Sequence, residues 1–452
     1  ICLTIIMITE SKGLSILERL LVKNCFIRKK HIHLTFFFHP RIMKELKKRF
    51  LDNWIQNDGT KPTHFKEVFW MKKATILSGI DRLHLADEQL RGRRVGLMTN
   101  PTGMNRELKS TIDIVNERYH LTAMYAVEHG IRGDVQAGGK VETCVDPETG
   151  VTVFTAFGET SHFTDEMLDA FDVLVFDIQD VGARFYTYLY SLGYAMEACN
   201  RAGKSMVVLD RLNPIGGVKT GGTILNPAFK SFVGDYELPT QYGLTIGEAP
   251  RYIRDYQKLT LDLTVIPLEG WERGMYLDDT DLPWVAPSPN CATLNAALCY
   301  IGTCVFEGTN LSEGRGTTLP FEVIGAPFID GALLEAKMNG LGLPGVHFRR
   351  TSFCPTFSKH QGVLCHGVQM HVLDRQSYDS FTDGLLLLDT IRSLYPEEFQ
   401  FVRWSEKSPY SIDLLLGTDE YRTGALTAQG LMDKYAPKVQ EFVEAAQKYR
   451  LY

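Results

Sequence analysis

Four short apolar runs fix the kind of fold this chain can adopt. Residues 94–100, 121–127, 173–176 and 204–209 are each too short for a full helix, and segments with helical periodicity stand around them at 78–90, 110–118, 165–170 and up to 202. Strands that alternate with helices build a mostly parallel sheet, so the expected class is α/β. Each run gives way to a polar residue: Asn100, Glu128, Asp177 and Asp210. In a parallel sheet those four ends share one edge, and that edge is where open α/β sheets bind ligands. One polar strand end is ordinary loop chemistry. Four, three of them acidic, point to a crevice.

The third run leads into the sharpest break with strand rules. The stretch Phe171-Asp-Val-Leu-Val-Phe-Asp-Ile-Gln-Asp-Val-Gly-Ala-Arg-Phe-Tyr-Thr-Tyr188 turns from apolar to Asp177, Gln179, Asp180, Gly182 and Arg184, then to Phe185, Tyr186 and Tyr188. Charges there are costly to bury unless they are paired or face a cleft. Another strand is expected at 151–157. Residues 216–285 are loop-rich, with one helix at 245–256 opened by a Thr245/Glu248 capping box and an alternating edge strand at 261–266. Residues 294–305 read as helix or strand. The remainder alternates short strands with helices at 378–394 and 430–448. The expected division is a sheet domain at 71–285, carrying most candidate catalytic residues, and a second, smaller α/β domain at 286–452 that closes the cleft.

Residues 1–70 do not belong with the rest. They hold 13 Lys and Arg against 6 Asp and Glu, a net of +7, where the remainder carries −13. We expect them to be non-native or disordered upstream sequence translated in frame, with Met71 as an ordinary start; the alternative is a basic arm for a membrane surface or nucleic acid. The net charge of −6 makes no case for a nucleic-acid partner. No apolar run reaches the roughly 18 residues a membrane-spanning helix needs. Nine cysteines with no CxxC pair read as isolated thiols in a reducing compartment. Nothing in the sequence addresses the oligomeric state.

The candidate chemistry is carboxylate chemistry. Glu128, at the edge of an apolar strand, is placed to donate a proton, or else it pairs with Arg132 as loop architecture. His129 reads as a hydrogen-bonding wall. Asp177 and Asp180 are a nucleophile, a base, binders of hydroxyl groups, or structural partners of Arg184; Asp210 and Arg211 are self-paired on the bland reading. Tyr186, Tyr188 and Trp284 suit stacking on a sugar face or plain packing. The run from Glu307 to Glu322 gathers Asn310, Glu313, Arg315 and Thr317 among glycines. It lacks the Walker spacing and its lysine, and no GxGxxG or GxSxG is present, which excludes the usual nucleotide and acyl-transfer signatures. No spacing supports a metal site, and no cofactor is expected. Glycoside hydrolysis needs two carboxyl groups and little else, and arginines in such a cleft suit a substrate with a carboxylate of its own.

The motifs resemble those of the exo-β-N-acetylmuramidase family of bacterial peptidoglycan enzymes, the NamZ type, from about residue 76 to the end. They are Glu128-His-Gly-Ile-Arg-Gly133, the 176–188 segment, Asp210-Arg-Leu-Asn-Pro214, Pro287-Ser-Pro-Asn290 and the 307–322 run. The resemblance implies a Rossmann-like sheet domain, a C-terminal α/β domain and an active site between them. It implies release of N-acetylmuramic acid from the non-reducing end of peptidoglycan-derived muropeptides or disaccharides. On it, Glu128 is the acid and Asp177, ahead of Glu313, the second catalytic group, unless the substrate's acetamido group is the nucleophile. Arg132, Arg184 or Arg315 would meet the lactyl carboxylate. His129, Asp180, Tyr186, Tyr188, Asp210, Asn290, Glu307, Asn310, Glu313 and Thr317 complete the substrate-binding set. Gln241 and Tyr242 depart from the family's Arg and His, and Leu212 from its Pro. No export signal follows Met71, so cytoplasmic recycling is expected, with export as the alternative. Two other readings stand beside it: a muropeptide-binding protein without turnover, and a metal-dependent α/β hydrolase.

Overall fold

A computed structural model describes residues 73–133, 142–156 and 163–452, and the backbone of three short strands, Cys2–Thr4, Ile32–Thr35 and Phe65–Glu67. Residues 1–74 form one unit, in which those three strands pair in parallel. The expectation for 1–70 falls almost wholly outside the described residues, as does most of the loop after Gly133. Residues 75–452 form the second unit, and everything below concerns it.

Its sheet is built from the predicted runs. Strands β1 (Arg94–Thr99), β2 (His120–Ala126), β3 (Cys144–Val145), β4 (Thr152–Thr155), β5 (Val173–Asp177), β6 (Ser205–Leu209) and β9 (Leu263–Ile266) lie in the order β9-β6-β5-β1-β2-β4-β3. All pairs are parallel except β3 with β4. From β1 the chain winds outward through β2 and β4, then returns to the other side of β1 and winds through β5, β6 and β9. The direction reverses between β1 and β5, so this is a doubly wound Rossmann-like sheet whose crevice opens where Thr99 pairs with Asp177.

Side-chain alternation shows why these runs are strands. Val95, Leu97, Val173, Val175, Val207 and Leu209 pack on one face with Ile80, Leu83, Leu90, Ile112 and Val115. Met98, Leu174, Phe176, Met206 and Val208 pack on the other, against Leu189, Leu192 and Met196 of α3 (Tyr188–Arg201). Both faces are covered, so the strands are apolar throughout. Helices α1 (Thr111–Arg118) and α2 (Asp165–Asp169) begin at side-chain caps, Ser110 and Thr164. The helix expected at 78–90 is instead a 3-10 segment, Gly79–Ala86, followed by one α-turn, Asp87–Leu90, because Arg82 leaves helical geometry.

An antiparallel ribbon, β7 (Gly221–Ile224) with β8 (Pro239–Gln241), leads to α4 (Ala249–Gln257). The Thr245/Glu248 box forms: Thr245 N donates to Glu248 Oε2 at 3.0 Å and Glu248 N to Thr245 Oγ1 at 3.1 Å, one turn ahead of the regular helix. Residues 294–305 are helical: α5 (Leu294–Thr303) runs into a 3-10 turn, Cys304–Gly308. The C-terminal half holds an antiparallel sheet, β10 (Val323–Ala326), β11 (Val346–Phe353) and β12 (Cys365–Val372), in the order β10-β12-β11. With it go α6 (Gly331–Gly340), α7 (Ser380–Leu394), α8 (Ser411–Leu416) and α9 (Ala428–Ala446). Tyr300, Phe321, Ile324, Leu385 and Leu388 belong to the same apolar cluster as Met98 and Phe176, so one core runs through both halves. No helix among the described residues is long and apolar enough to cross a membrane.

Candidate active site

Glu128 is the second residue after β2 and is half-buried. The chain turns sharply after it: His129 has φ +73° and Gly130 φ +77°. A non-glycine residue in the left-handed region is uncommon and marks a backbone held by its surroundings. The turn brings the Glu128 carboxylate to Thr187, whose hydroxyl donates to Oε2 at 2.7 Å just ahead of α3. His129 is buried. Arg132 is engaged further along the loop. Its guanidinium meets Asp146 and Glu148, each at 2.9 Å, and stays 38% exposed.

Asp177 is placed otherwise than its proposed nucleophile role requires. It is fully buried, and both oxygens face protein donors. Arg211 Nε reaches Oδ1 at 2.6 Å and Nη2 reaches Oδ2 at 2.8 Å, while the Thr111 hydroxyl also donates to Oδ2. This is a fork-on-carboxylate pair inside the protein, the strong form of ion pair. It also corrects the pairing of Asp210 with Arg211: Arg211 turns to the neighbouring strand. Arg184, the suggested partner of Asp177 and Asp180, bonds to neither. It is fully buried and donates to the carbonyls of Thr223, Leu238 and Leu415, tying the ribbon to α8. Burial pulls its guanidinium down to about 10, and it is out of reach of a substrate carboxylate.

Asp180 is buried in a turn closed by Gly182. Oδ1 accepts from Gly182 N at 2.7 Å and from the Tyr242 hydroxyl. Gly182 needs to be glycine: its φ is +77°, and a Cβ would lie 2.5 Å from Asn213 Nδ2. Burial pushes Asp180 up to about 6. Tyr242 therefore acts on Asp180 directly. Tyr186 and Tyr188 stand edge to face, centroids 5.0 Å apart, with Tyr300 at 5.8 Å from Tyr186. Both tyrosines are buried, and the Tyr188 hydroxyl donates to the Pro287 carbonyl. Their rings pack, so stacking on a sugar face is not what they do here. Asp210 is also buried, accepting from Gly247 N at 2.6 Å, Thr245 Oγ1 at 2.9 Å and the Tyr452 hydroxyl at 2.7 Å. Burial raises it to about 7. Its work is to hold the chain's last residue and the approach to α4.

The 307–322 run makes a second charged group. Arg315 reaches Glu307 at 2.6 Å and Glu313 at 3.4 Å, and Lys359 reaches Glu313 at 2.7 Å. Burial opposes the Arg315 charge, but Glu307 and Glu313 outweigh it and hold the guanidinium above its usual range. Its guanidinium lies 5.1 Å over the Phe321 ring, and Phe321 stands 4.6 Å from Tyr300. The aromatic line Tyr188–Tyr186–Tyr300–Phe321 thus joins this group to the sheet edge. Asn310 and Thr317 are turn-makers. Asn310 exchanges hydrogen bonds with Glu398 O and Gln400 N, and Thr317 donates to Gly314 O at 2.6 Å. Asn290 is buried at the end of the segment that carries Pro287. Sequence reasoning missed Thr111 and Lys359, which no local motif marks, and Thr187, which lies inside the 176–188 motif but was passed over for its aromatic neighbours. Among the described residues no His, Cys, Asp or Glu group is arranged to hold a metal.

The pattern for the N-terminal part of the exo-β-N-acetylmuramidase NamZ matches residues 95–295, and that for its C-terminal part matches 298–452. The chain belongs to this family. It is 48% identical over 388 residues to the peptidoglycan β-N-acetylmuramidase NamZ of Bacillus subtilis strain 168, covering 84% of this chain and 92% of that protein. Two DUF1343 family crystal structures from Bacteroides fragilis share the fold. One has a TM-score of 0.78 at 35% identity, covering 84% of this chain and all of that one; the other has 0.66 at 29%, covering 83% and 99%.

Proposed function

We propose that this chain is an exo-acting glycosidase that releases N-acetylmuramic acid from the non-reducing end of peptidoglycan fragments in cell-wall turnover. The observation that carries the reading is the 48% identity to a peptidoglycan β-N-acetylmuramidase over 92% of that protein. In this reading Glu128, held by Thr187 at the crevice beside the reversal of strand order, protonates the leaving oxygen. Asp177 is committed to Arg211 and Thr111, and Glu313 to Arg315 and Lys359. The substrate's own acetamido oxygen is then the better candidate to attack the anomeric carbon, as in substrate-assisted hydrolases. Of the three arginines, Arg132 is the most exposed and stands four residues beyond Glu128, and we assign it to the lactyl carboxylate. The seven described cysteines are free thiols, which suits a cytoplasmic place of action on recovered fragments.

Hydrolysis of a chromogenic β-N-acetylmuramide tests this. The protein should release the chromophore with or without chelator, and Glu128→Gln should lower kcat by on the order of 100-fold or more. Binding without release would make the chain a binding protein, and an unchanged rate in the variant would remove Glu128 from the acid role.

A further inference from the structure

A cavity of about 470 Å³ opens where the end of α4 meets the 3-10 turn Gln447–Tyr449 that follows α9. It lies apart from the crevice. Leu259, on its wall, leads into the start of β9, and Thr260 N donates to Asn200 Oδ1 at 2.9 Å, near the end of α3. Glu128 meets Thr187 at the opposite end of that helix, whose 14 residues span about 20 Å. The walls are aromatic: Tyr252 and Tyr256 stack one turn apart on α4, centroids 5.8 Å apart, and Tyr449 stands edge-on to Tyr252 at 5.6 Å. The charge is positive. Arg254, Lys258 and Lys448 line the cavity with one carboxylate, Asp255, in a chain whose residues beyond 70 carry −13. Asp255 is engaged within the wall, its Oδ2 accepting from Lys448 Nζ and from the Tyr449 hydroxyl, each at 3.1 Å. Arg254 and Lys258 form no ion pair and no side-chain hydrogen bond among the described residues. The dipole of α4 favours cations at this end, but it leaves the guanidinium fork and the ammonium without a protein acceptor.

We propose that this cavity is a second saccharide site, which takes a sugar carrying a carboxylate. The Arg254 fork receives the carboxylate through two parallel hydrogen bonds, and Lys258 stands by as a point charge. The tyrosines give the sugar ring a wall that is apolar in body and polar at the tip. The size favours a sugar over a bare inorganic anion, since ligand pockets run from about 300 to 1,000 Å³. The proposal rests on the muramidase reading, which supplies the acid sugar: N-acetylmuramic acid, whose lactyl group is the carboxylate. A site at the far end of α3 takes no part in hydrolysis. It holds a second muramic residue, and a fragment held there raises the concentration of chain ends near the crevice.

Calorimetric titration with N-acetylmuramic acid, beside turnover of the chromogenic muramide, tests this. Lys258 is exposed and Arg254 half-buried, so neither is needed for folding. The double variant Arg254→Ala with Lys258→Ala should bind one equivalent of N-acetylmuramic acid fewer than the parent and keep kcat/KM for the small substrate within about twofold. Lys258→Glu, which reverses a charge, should lose the same equivalent. N-acetylglucosamine, the same ring without the lactyl carboxylate, should fill the cavity at least about tenfold more weakly. Equal stoichiometry and affinity in the parent and both variants overturns the site, and equal affinity for the two sugars overturns its carboxylate contact. A lost equivalent accompanied by a matching fall in kcat/KM would place these residues in the crevice and overturn a second site. A parent that cleaves no muramide, with the equivalent lost in the variants, overturns the enzyme reading and keeps the site.

Discussion

Replacing Asp177 by Asn separates a structural from a chemical role for the residue at the centre of the crevice. The substitution keeps the shape and removes the charge. Arg211, whose side chain is 9% exposed, then loses the carboxylate that both its Nε and Nη2 address, and keeps Met104 O at 2.9 Å. Removing one partner of a buried pair strands the other charge and costs about 3–5 kcal/mol. Unfolding entropy near 2.1 cal/mol/K per residue, over the roughly 380 residues of the unit, gives about 0.8 kcal/mol/K, so Tm should fall by about 4–6 °C.

Thermal melting followed by circular dichroism reads that shift, and muramide turnover well below the transition reads the chemistry. If Asp177 is a buried anchor, Tm falls as stated and kcat at 25 °C stays within about tenfold of the parent. The double variant Asp177→Asn with Arg211→Met should be less destabilised than the two single changes added together, because it leaves no stranded charge. An unchanged Tm with kcat lowered by about 1,000-fold or more would refute this reasoning and restore Asp177 as nucleophile.

Two further changes test the frame around the site. Burial raises Asp210 to about 7 from an ordinary value near 3.8, so between about pH 4 and 7 the unfolded chain loses this proton while the folded chain keeps it. Its contribution is therefore full below pH 4 and lost as pH rises through 7, by up to about 4 kcal/mol; Asp210→Asn should flatten urea midpoints across that window, and an unaltered slope would count against it. Gly182→Ala forces a Cβ against Asn213 at a φ of +77°, and should cost about 1–3 kcal/mol in urea denaturation; an unchanged midpoint would count against the strain.

How much of this was visible in the sequence follows from what periodicity can report. It reports burial, and so it gave the strands: Val95 and Leu97 against Met98, Val173 and Val175 against Leu174 and Phe176. It placed the polar ends on one edge, because parallel strands leave no other choice. It could not say which partner each polar end would meet. The partner of Asp177 is 34 residues away in Arg211, that of Glu313 is Lys359, and that of Asp210 is Tyr452, 242 residues on. Arg184 looked like a clamp because its partners are backbone carbonyls, which every residue has and no sequence displays. A charge at a buried strand end must be met by something, and the choice lies between protein and ligand. Asp177 and Asp210 are met by protein, which makes them part of the scaffold. Glu128 differs from both: it is only half-buried, and its Oε2 accepts from the Thr187 hydroxyl at 2.7 Å. The polar ends that looked most catalytic in the sequence, Asp177 and Asp210, are therefore the ones the protein itself meets.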